Sequence, residues 1–443
     1  NCIEVDPFTK GGAYIVGTKY KTGDYTPYIY KTENYGKSWK LITNGIGAED
    51  FTRALRADPK RKGLLYAGTE TGMYISFNDG KNWESFQRNL PVTPILDLMV
   101  HRNDLVVATS GRSFWILDNL SLLSQYNAKS KNMKVYDPEP ITYGFWGSRM
   151  NGNIDRFDGM QNFVGVNPAN GIELYYELPK VDKSKPVELT VTDANGNVVN
   201  SYTSEKDMNY IPHNGGGAPR APRLTKKKGL NRFVWNMQHE IVPGVPNVYI
   251  EAGFRGHRVV PGTYTMKLSY DGQAFTKTAV IKENPHYDIT KAEYQEYDQI
   301  MSQMEANVTD MHNKVNSLHA MSKDIKKAIK QLKEKNANSP LIAEGKNLLK
   351  EIKAWDEQMV QRRSQAYDDV ENFENKFTAE YLFVMNQTNS SLPKVPQASI
   401  DRKAELDQQW VPLKTTAESL LSTKIPAYNK KLWDAGIGAI DMK

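Results

Sequence analysis

Arg53, Arg56, Glu70, Asp79 and Arg112 are side chains early in the chain whose types could serve hydrolysis. Most glycosidases need two carboxyl groups facing each other across the scissile bond, and a sialidase-type site adds an arginine cluster and a Tyr–Glu pair. Asp79 stands inside a tight turn, where its type serves the turn itself. Lys19, Glu70 and the loop Ser110–Arg112 each follow the second strand of one of three similar segments. Loops at corresponding places in a repeated fold gather on one rim, which makes Lys19, Glu70 and Arg112 a ligand-facing set. The plainer reading is surface charge, or in Arg112 a tie between neighbouring repeats. No residue is assigned a catalytic role.

The remaining chemistry is sparse. His101, His213, His239, His257, His286, His312 and His319 show no HExxH spacing and no i, i+4 pair, and the lone Cys2 excludes a cysteine-built site or an internal disulfide. His312 and His319 read as a solvated or core-edge stripe on a helix. Gly215–Gly217 read as linker, not as a phosphate cradle. No cofactor and no metal are expected.

What must position the rim loops is a repeat. Ser76-Phe77-Asn78-Asp79-Gly80-Lys81-Asn82-Trp83 fits S/T-x-D/N-x-G-x-x-W, and Thr32-Glu33-Asn34-Tyr35-Gly36-Lys37-Ser38-Trp39 fits it 44 positions earlier. In this pattern the Asx side chain caps turn amides, glycine takes φ > 0, and the tryptophan packs over its own hairpin. Thr32, Asn34, Gly36, Trp39, Ser76, Asn78, Gly80 and Trp83 are therefore structural. The spacing is that of one four-stranded propeller blade. Strands are expected at 3–6, 13–18 and 28–31, at 52–58, 64–69 and 73–76, and at 95–101, 104–109 and 113–118, the last group without a box. Residues 1–125 read as the last blades of a β-propeller. Three blades cannot close a ring, so further blades are expected N-terminal to Asn1, in the same or a separate chain.

The boxes match the Asp-box of bacterial-neuraminidase-type (BNR) repeats. The run from Asp58 to Gly72, through Asn89-Leu90-Pro91 to Gly111–Asp118, resembles the Bacteroidetes-type BNR-repeat "glycosyl hydrolase" family related to the sortilin-type propeller. That resemblance implies a propeller, a small β-sandwich and a C-terminal helical region. It also implies an extracytoplasmic location: periplasm, cell surface or secreted. Two departures stand out. Asn34 and Asn78 replace the commoner Asp, which keeps the turn cap. Ser110 stands where a His is expected, which weakens a catalytic role for its loop.

Residues 126–165, with Phe145, Trp146, Phe157 and Phe163, read as a strap or linker. Period-two alternation at 172–178 and 187–192, with further strands at 232–236, 262–268 and 275–281, predicts an immunoglobulin-like β-sandwich of about seven strands over 166–285. Thr290 followed by Glu293 is a capping-box signature. Met304, Val308, Met311, Val315, Leu318, Ile325, Ile329 and Leu332 then predict a helix of some forty residues, interrupted on its apolar stripe at Ser322. A second helix is expected from Leu348 through Phe377 and a third over 399–423, giving a bundle of three or more helices over 286–443. Methionines at Met304 and Met311 point to docking of the 300–311 end on the sandwich or another subunit, the alternative being a complete three-helix core that satisfies every apolar position internally.

The net charge of +6 is spread in short lysine runs and does not make a nucleic-acid footprint. No apolar run is long enough to span a membrane, and no signal peptide opens the chain. The expected function is a non-catalytic propeller protein that binds protein or glycan, or scaffolds a cell-envelope assembly with other envelope proteins. The alternative is a glycan hydrolase whose acid and base lie in the missing blades.

Overall fold

The computed structural model describes residues 2–127, 132–151, 167–210, 218–389 and 393–441. Phe157, Phe163, His213 and Gly215–Gly217 lie outside the described residues. The chain divides into two compact units: Asn1–Glu139, Trp146–Val181 and Lys227–Val234 form one, and Pro140–Phe145, Asp182–Lys226 and Trp235–Lys443 the other. It has many β-strands in several sheets and a C-terminal helical region. No described helix is long and apolar enough to cross a membrane.

In the first unit, β1 (Cys2–Val5), β2 (Ala13–Lys19), β3 (Asp24–Thr32) and β4 (Lys40–Leu41) pair in sequence order. The next sheet, β5 (Thr52–Ala57), β6 (Leu65–Thr69), β7 (Met73–Ser76) and β8 (Glu84–Ser85), repeats the plan. β9 (Ile95–His101), β10 (Asp104–Thr109) and β11 (Phe114–Leu117) form a third sheet of three strands, followed by α1 (Ser121–Gln125). No closed ring of sheets is found among the described residues.

Register shows the repeat directly. Ala13 pairs with Thr32 of one box and Leu65 with Ser76 of the other, so Tyr14 corresponds to Tyr66. Tyr14, Val16 and Ile29 of the first sheet share a buried cluster with Leu55, Ala57, Leu65 and Ala67 of the second. Tyr66, Met73 and Ile75, on the other face of the second sheet, share the next cluster with Ile95, Leu98, Leu105 and Val107 of the third. Corresponding positions thus face the following sheet each time. Val106 and Ile116 are cross-strand partners as Tyr66 and Ile75 are, but Ile116 and its neighbours Phe114 and Met99 are exposed. At the other end Ile3, paired with Ile15, is exposed as well.

The box tryptophans do more than cover their own turns. Trp83 reaches beyond its hairpin to the preceding repeat. It is buried among residues that include Ile42 and Ile46 of the preceding repeat, and its indole N–H donates to the Ile42 carbonyl at 2.7 Å. A Cβ on Gly80 would come within 2.4 Å of Ile42, so only glycine allows this approach. Trp39, at the same place one repeat earlier, is 41% exposed, with no described sheet on that side. The unit also holds the sheet of β12 (Lys134–Val135), β14 (Ile172–Leu178) and β17 (Gly229–Trp235); in β14 Ile172, Leu174, Tyr176 and Leu178 alternate inward.

The second unit holds a five-stranded sheet. In spatial order it is β13 (Ile141–Thr142), β19 (Gln273–Lys282), β18 (Gly262–Tyr270), β15 (Val187–Thr192) and β16 (Val198–Thr203). The stretch expected as a strap therefore supplies edge strands, β12 to one sheet and β13, parallel to β19, to another. Helices follow: α2 (Lys291–Lys335), α3 (Pro340–Met359), α4 (Asp369–Asn372), α5 (Phe377–Thr388), α6 (Gln397–Ser419) and α7 (Ile425–Asp434).

Thr290 and Glu293 form the reciprocal capping box at the start of α2. The apolar stripe of α2 is continuous, contrary to the expected break at Ser322. A 3.6-residue helix drifts against a seven-residue repeat, so Met321 takes the inward place between Leu318 and Ile325, and the Ser322 hydroxyl donates to the His319 carbonyl. The second helix also ends sooner than expected. Val360 is extended, and Arg362 turns back to hold Asp356 through two bonds of 2.5 and 2.6 Å. Pro426, which has no N–H for an α-ladder, follows a π-helical turn at Leu420–Lys424 that links α6 to α7. Met301, Met304 and Met311 are fully buried in the helical core, which also takes in Val242, Val248 and Phe254.

The unequal surroundings of the two box tryptophans set a test. Trp83→Ala should cost about 3–5 kcal/mol, the usual range for a buried aromatic, and Trp39→Ala less than about 1 kcal/mol. Denaturant unfolding of both variants measures this; equal losses would mean that the two positions are packed alike.

Candidate functional site

On the loop side of the first two sheets, Lys19 and Glu70 each belong to a set of close contacts. Lys19, ending β2, sits 3.8 Å from Asp24 and lies over the Tyr28 ring. Glu70 accepts a 2.5 Å bond from Arg53 Nε. The Arg53 guanidinium lies over the rings of Tyr20 and Phe51, which stack at 5.0 Å, and Tyr25 flanks Phe51 at 6.0 Å while half exposed. Arg53 thereby joins the loop of the first repeat to that of the second. Arg112 stands apart. It is exposed, its guanidinium donates to the Gly111 carbonyl, and its own carbonyl accepts the Trp115 indole N–H. No described contact links it to Lys19 or Glu70. Sequence reading passed over Tyr20, Tyr25 and Phe51; their only signal was aromatic density beside a loop.

Carboxylates elsewhere in these repeats are committed to holding the fold. Asp79 accepts from Tyr14 Oη at 2.6 Å and from Lys31 Nζ at 2.5 Å, tying the second box to the first sheet. Asp50 accepts from the Thr69 hydroxyl and the Thr71 amide, and Asp58 from the amides of Lys60 and Arg61. Arg56 is bonded to Asp97 and to the Leu55 carbonyl. The two boxes match bond for bond. Thr32 Oγ1 accepts from the Asn34 and Gly36 amides, and Ser76 Oγ from those of Asn78 and Gly80. Asn34 Oδ1 then takes the Ser38 amide and Asn78 Oδ1 the Asn82 amide. Tyr35, Gly36, Asp79 and Gly80 all have positive φ, so each turn places two residues in that region.

A second cluster lies in the other unit, where local spacing gave no hint of it. The His239 amide donates to the His257 carbonyl at 2.9 Å, and a Cβ on Gly256 would meet the His239 carbonyl at 2.5 Å. This close pairing stacks the two imidazoles 4.0 Å apart and 12° from parallel. Helix α2 brings Asp298 and Glu305, two turns apart, to the same rings. His257 Nε2 is 3.2 Å from Asp298 Oδ1 and Nδ1 is 3.0 Å from Glu305 Oε1, which also accepts the His257 amide at 2.5 Å. His239 Nε2 lies 3.7 Å from the same Asp298 oxygen. Burial opposes charge on His257, but the bonds to Asp298 and Glu305 outweigh it and push its pKa up to about 9. Burial likewise raises Asp298, and the two histidines overcome this and hold it well below the usual carboxylate range.

His312, expected at a helix edge, is instead fully buried. Its Nδ1 donates to the Pro243 carbonyl at 2.6 Å, while Nε2 has no hydrogen-bond partner among the described residues. Burial therefore drives its pKa down to about 4.

No family model matches this chain, and no curated protein matches it. Among solved structures, YCF48 bound to a D1 peptide is similar at 19% identity over 26% of this chain and 34% of that one, with a TM-score of 0.20. A GH74 xyloglucanase from Xanthomonas campestris is similar at 11% identity over 62% of this chain and 37% of its own, TM-score 0.20. An ancestral GH74 enzyme is similar at 13% identity over 62% and 41%, TM-score 0.21. The chain thus spans between about a third and two-fifths of each of these structures.

His312 gives a signed pH dependence. Its folded pKa lies below the ordinary 6.5, so the unfolded chain binds the extra proton between the two values. The stability of the helical unit should be complete above about pH 6.5 and fall as pH drops toward 4. His312→Gln, which cannot take the proton, should flatten that part of the profile. Helical circular dichroism during urea unfolding at several pH values measures both, and parallel profiles would refute the assignment.

Proposed function

We propose that residues 1–125 are consecutive blades of a larger propeller and that the protein is a non-catalytic binder of a protein segment or a glycan. The binding surface is the aromatic–cation patch of Lys19, Tyr20, Tyr25, Arg53 and Glu70. The observation that carries this is Arg53, which lies on two stacked rings while paired to Glu70 across two repeats. Flat rings with a fixed guanidinium suit stacking on a sugar or on a partner's side chains, and tyrosine and arginine carry much of the energy of binding surfaces. At the patch Glu70 is paired to Arg53, Asp24 to Lys19 and Tyr28, and Asp50 to Thr69 and Thr71, which favours binding over bond cleavage.

Exposed Trp39 and Ile3 support a further blade of the same kind on the open side of the first sheet. Trp83 shows how that place is filled one repeat later. The β-sandwich reading of the later sheets, the sortilin-type kinship and the extracytoplasmic location belong to the same proposal, supported by the sequence resemblance. A scaffold role in the cell envelope fits it.

Glycan and peptide arrays probed with the purified chain, and with Tyr25→Ala and Arg53→Ala, test the reading. Ligands bound by the parent should weaken at least about tenfold in both variants and be recovered uncleaved. Binding indifferent to both variants would remove the patch from the function. Release of shortened glycans would make the protein a hydrolase.

A further inference from the structure

We propose that His239, His257 and Asp298 form a binding site for a zinc-class divalent metal ion, with Glu305 orienting His257. The three donor atoms, one from each residue, lie within 4.8 Å of one another. Two imidazole nitrogens and one carboxylate oxygen are a donor set that zinc and its neighbours take readily, whereas calcium and magnesium prefer oxygen alone.

The Glu305 bond decides which nitrogen faces the ion. Glu305 accepts from His257 Nδ1, and the same oxygen is fixed by the His257 amide, so Nε2 is left toward Asp298 and His239. A carboxylate on the far nitrogen of a ligating histidine is the usual outer-shell arrangement at metal sites; it fixes the ring and raises its basicity. Here the outer carboxylate is nearly buried, while Asp298 is 41% exposed and opens the site to ions from solvent.

The stacked rings impose one adjustment. An ion lies in the plane of each imidazole that binds it, so two rings only 12° from parallel cannot both point at one centre. His257 is locked from both sides by Asp298 and Glu305. His239 is partly exposed and 3.7 Å from Asp298, so it is the ring that tilts. The ion replaces the proton shared between His257 Nε2 and Asp298. It links the segment carrying both histidines to helix α2 and leaves at least one coordination position toward solvent.

Isothermal titration of the chelator-treated chain with zinc chloride tests this, alongside His239→Gln, Asp298→Asn and Glu305→Gln, each first checked for parental circular dichroism. The expected result is one zinc per chain, with affinity at least tenfold lower in His239→Gln and Asp298→Asn. The loss in Glu305→Gln should be about 10–100-fold, as for other outer-shell partners. Cobalt should give a visible d–d spectrum in the parent that is lost in Asp298→Asn. Absence of saturable zinc binding by the folded parent overturns the proposal. So does zinc binding that is unchanged in both His239→Gln and Asp298→Asn, which would place the ion elsewhere.

Discussion

A β-sheet with two apolar faces must cover both, because each square ångström of apolar surface left against water forfeits roughly 25 cal/mol. Most of the first unit follows from this constraint. The second repeat is covered on both sides, by Tyr14, Val16 and Ile29 on one and by Ile95, Leu98 and Leu105 on the other. Its strand β6 is buried along its whole length. The first and third repeats are each covered on one side. Their open faces are the register equivalents of covered faces in the second, down to Ile116 standing where Ile75 stands. Exposure here falls on apolar side chains and not on a polar face. Ile3 and Phe114 are among the most exposed large apolar side chains described.

The same constraint explains how the box turns work. A box is usually described as a local motif, and its hydrogen bonds are local: Thr or Ser and Asn satisfy amides within four residues. Its energetic weight is not local. Trp83 and Asp79 both reach the preceding repeat, one through Ile42 and the other through Tyr14 and Lys31. The turn closes the outer hairpin of its own sheet and fastens that sheet to its neighbour. This lets Arg53 span two repeats at the rim, because the loops it joins are held in fixed relation by the boxes beneath.

Sequence patterns revealed what short-range physics dictates. The two boxes, the Thr290–Glu293 cap and the alternation in β14 are each set by neighbours within a few residues, and all could be read directly. What could not be read depends on distant partners. The direction of Trp83 is set by Ile42, a repeat away. The inward turn of Met321 depends on helical drift accumulated over several turns. The stop of α3 at Met359 has no proline or glycine to announce it, because Arg362 and Asp356 close the turn by an ion pair. The histidine cluster is the extreme case: His239 and His257 meet through backbone pairing around Gly256, and Asp298 and Glu305 arrive from a separate helix.

That cluster is also hard to account for as a fastening alone. The segment bearing Val242, Val248 and Phe254 already shares an apolar core with Met301, Met304 and Val308 of α2. Buried charged groups are a weak way to strengthen such a contact, since removing them from water costs about as much as their attraction returns, and apolar replacements often do as well. A single His–Glu bond would orient the segment. The structure instead converges two imidazoles and a second carboxylate on one small volume, with Asp298 partly open to solvent. Three donor atoms within 4.8 Å of one another, beyond what orienting the segment needs, suit a bound cation once His239 tilts, and a packing contact does not require them. The arrangement around His257 is therefore better explained by occupancy than by stability.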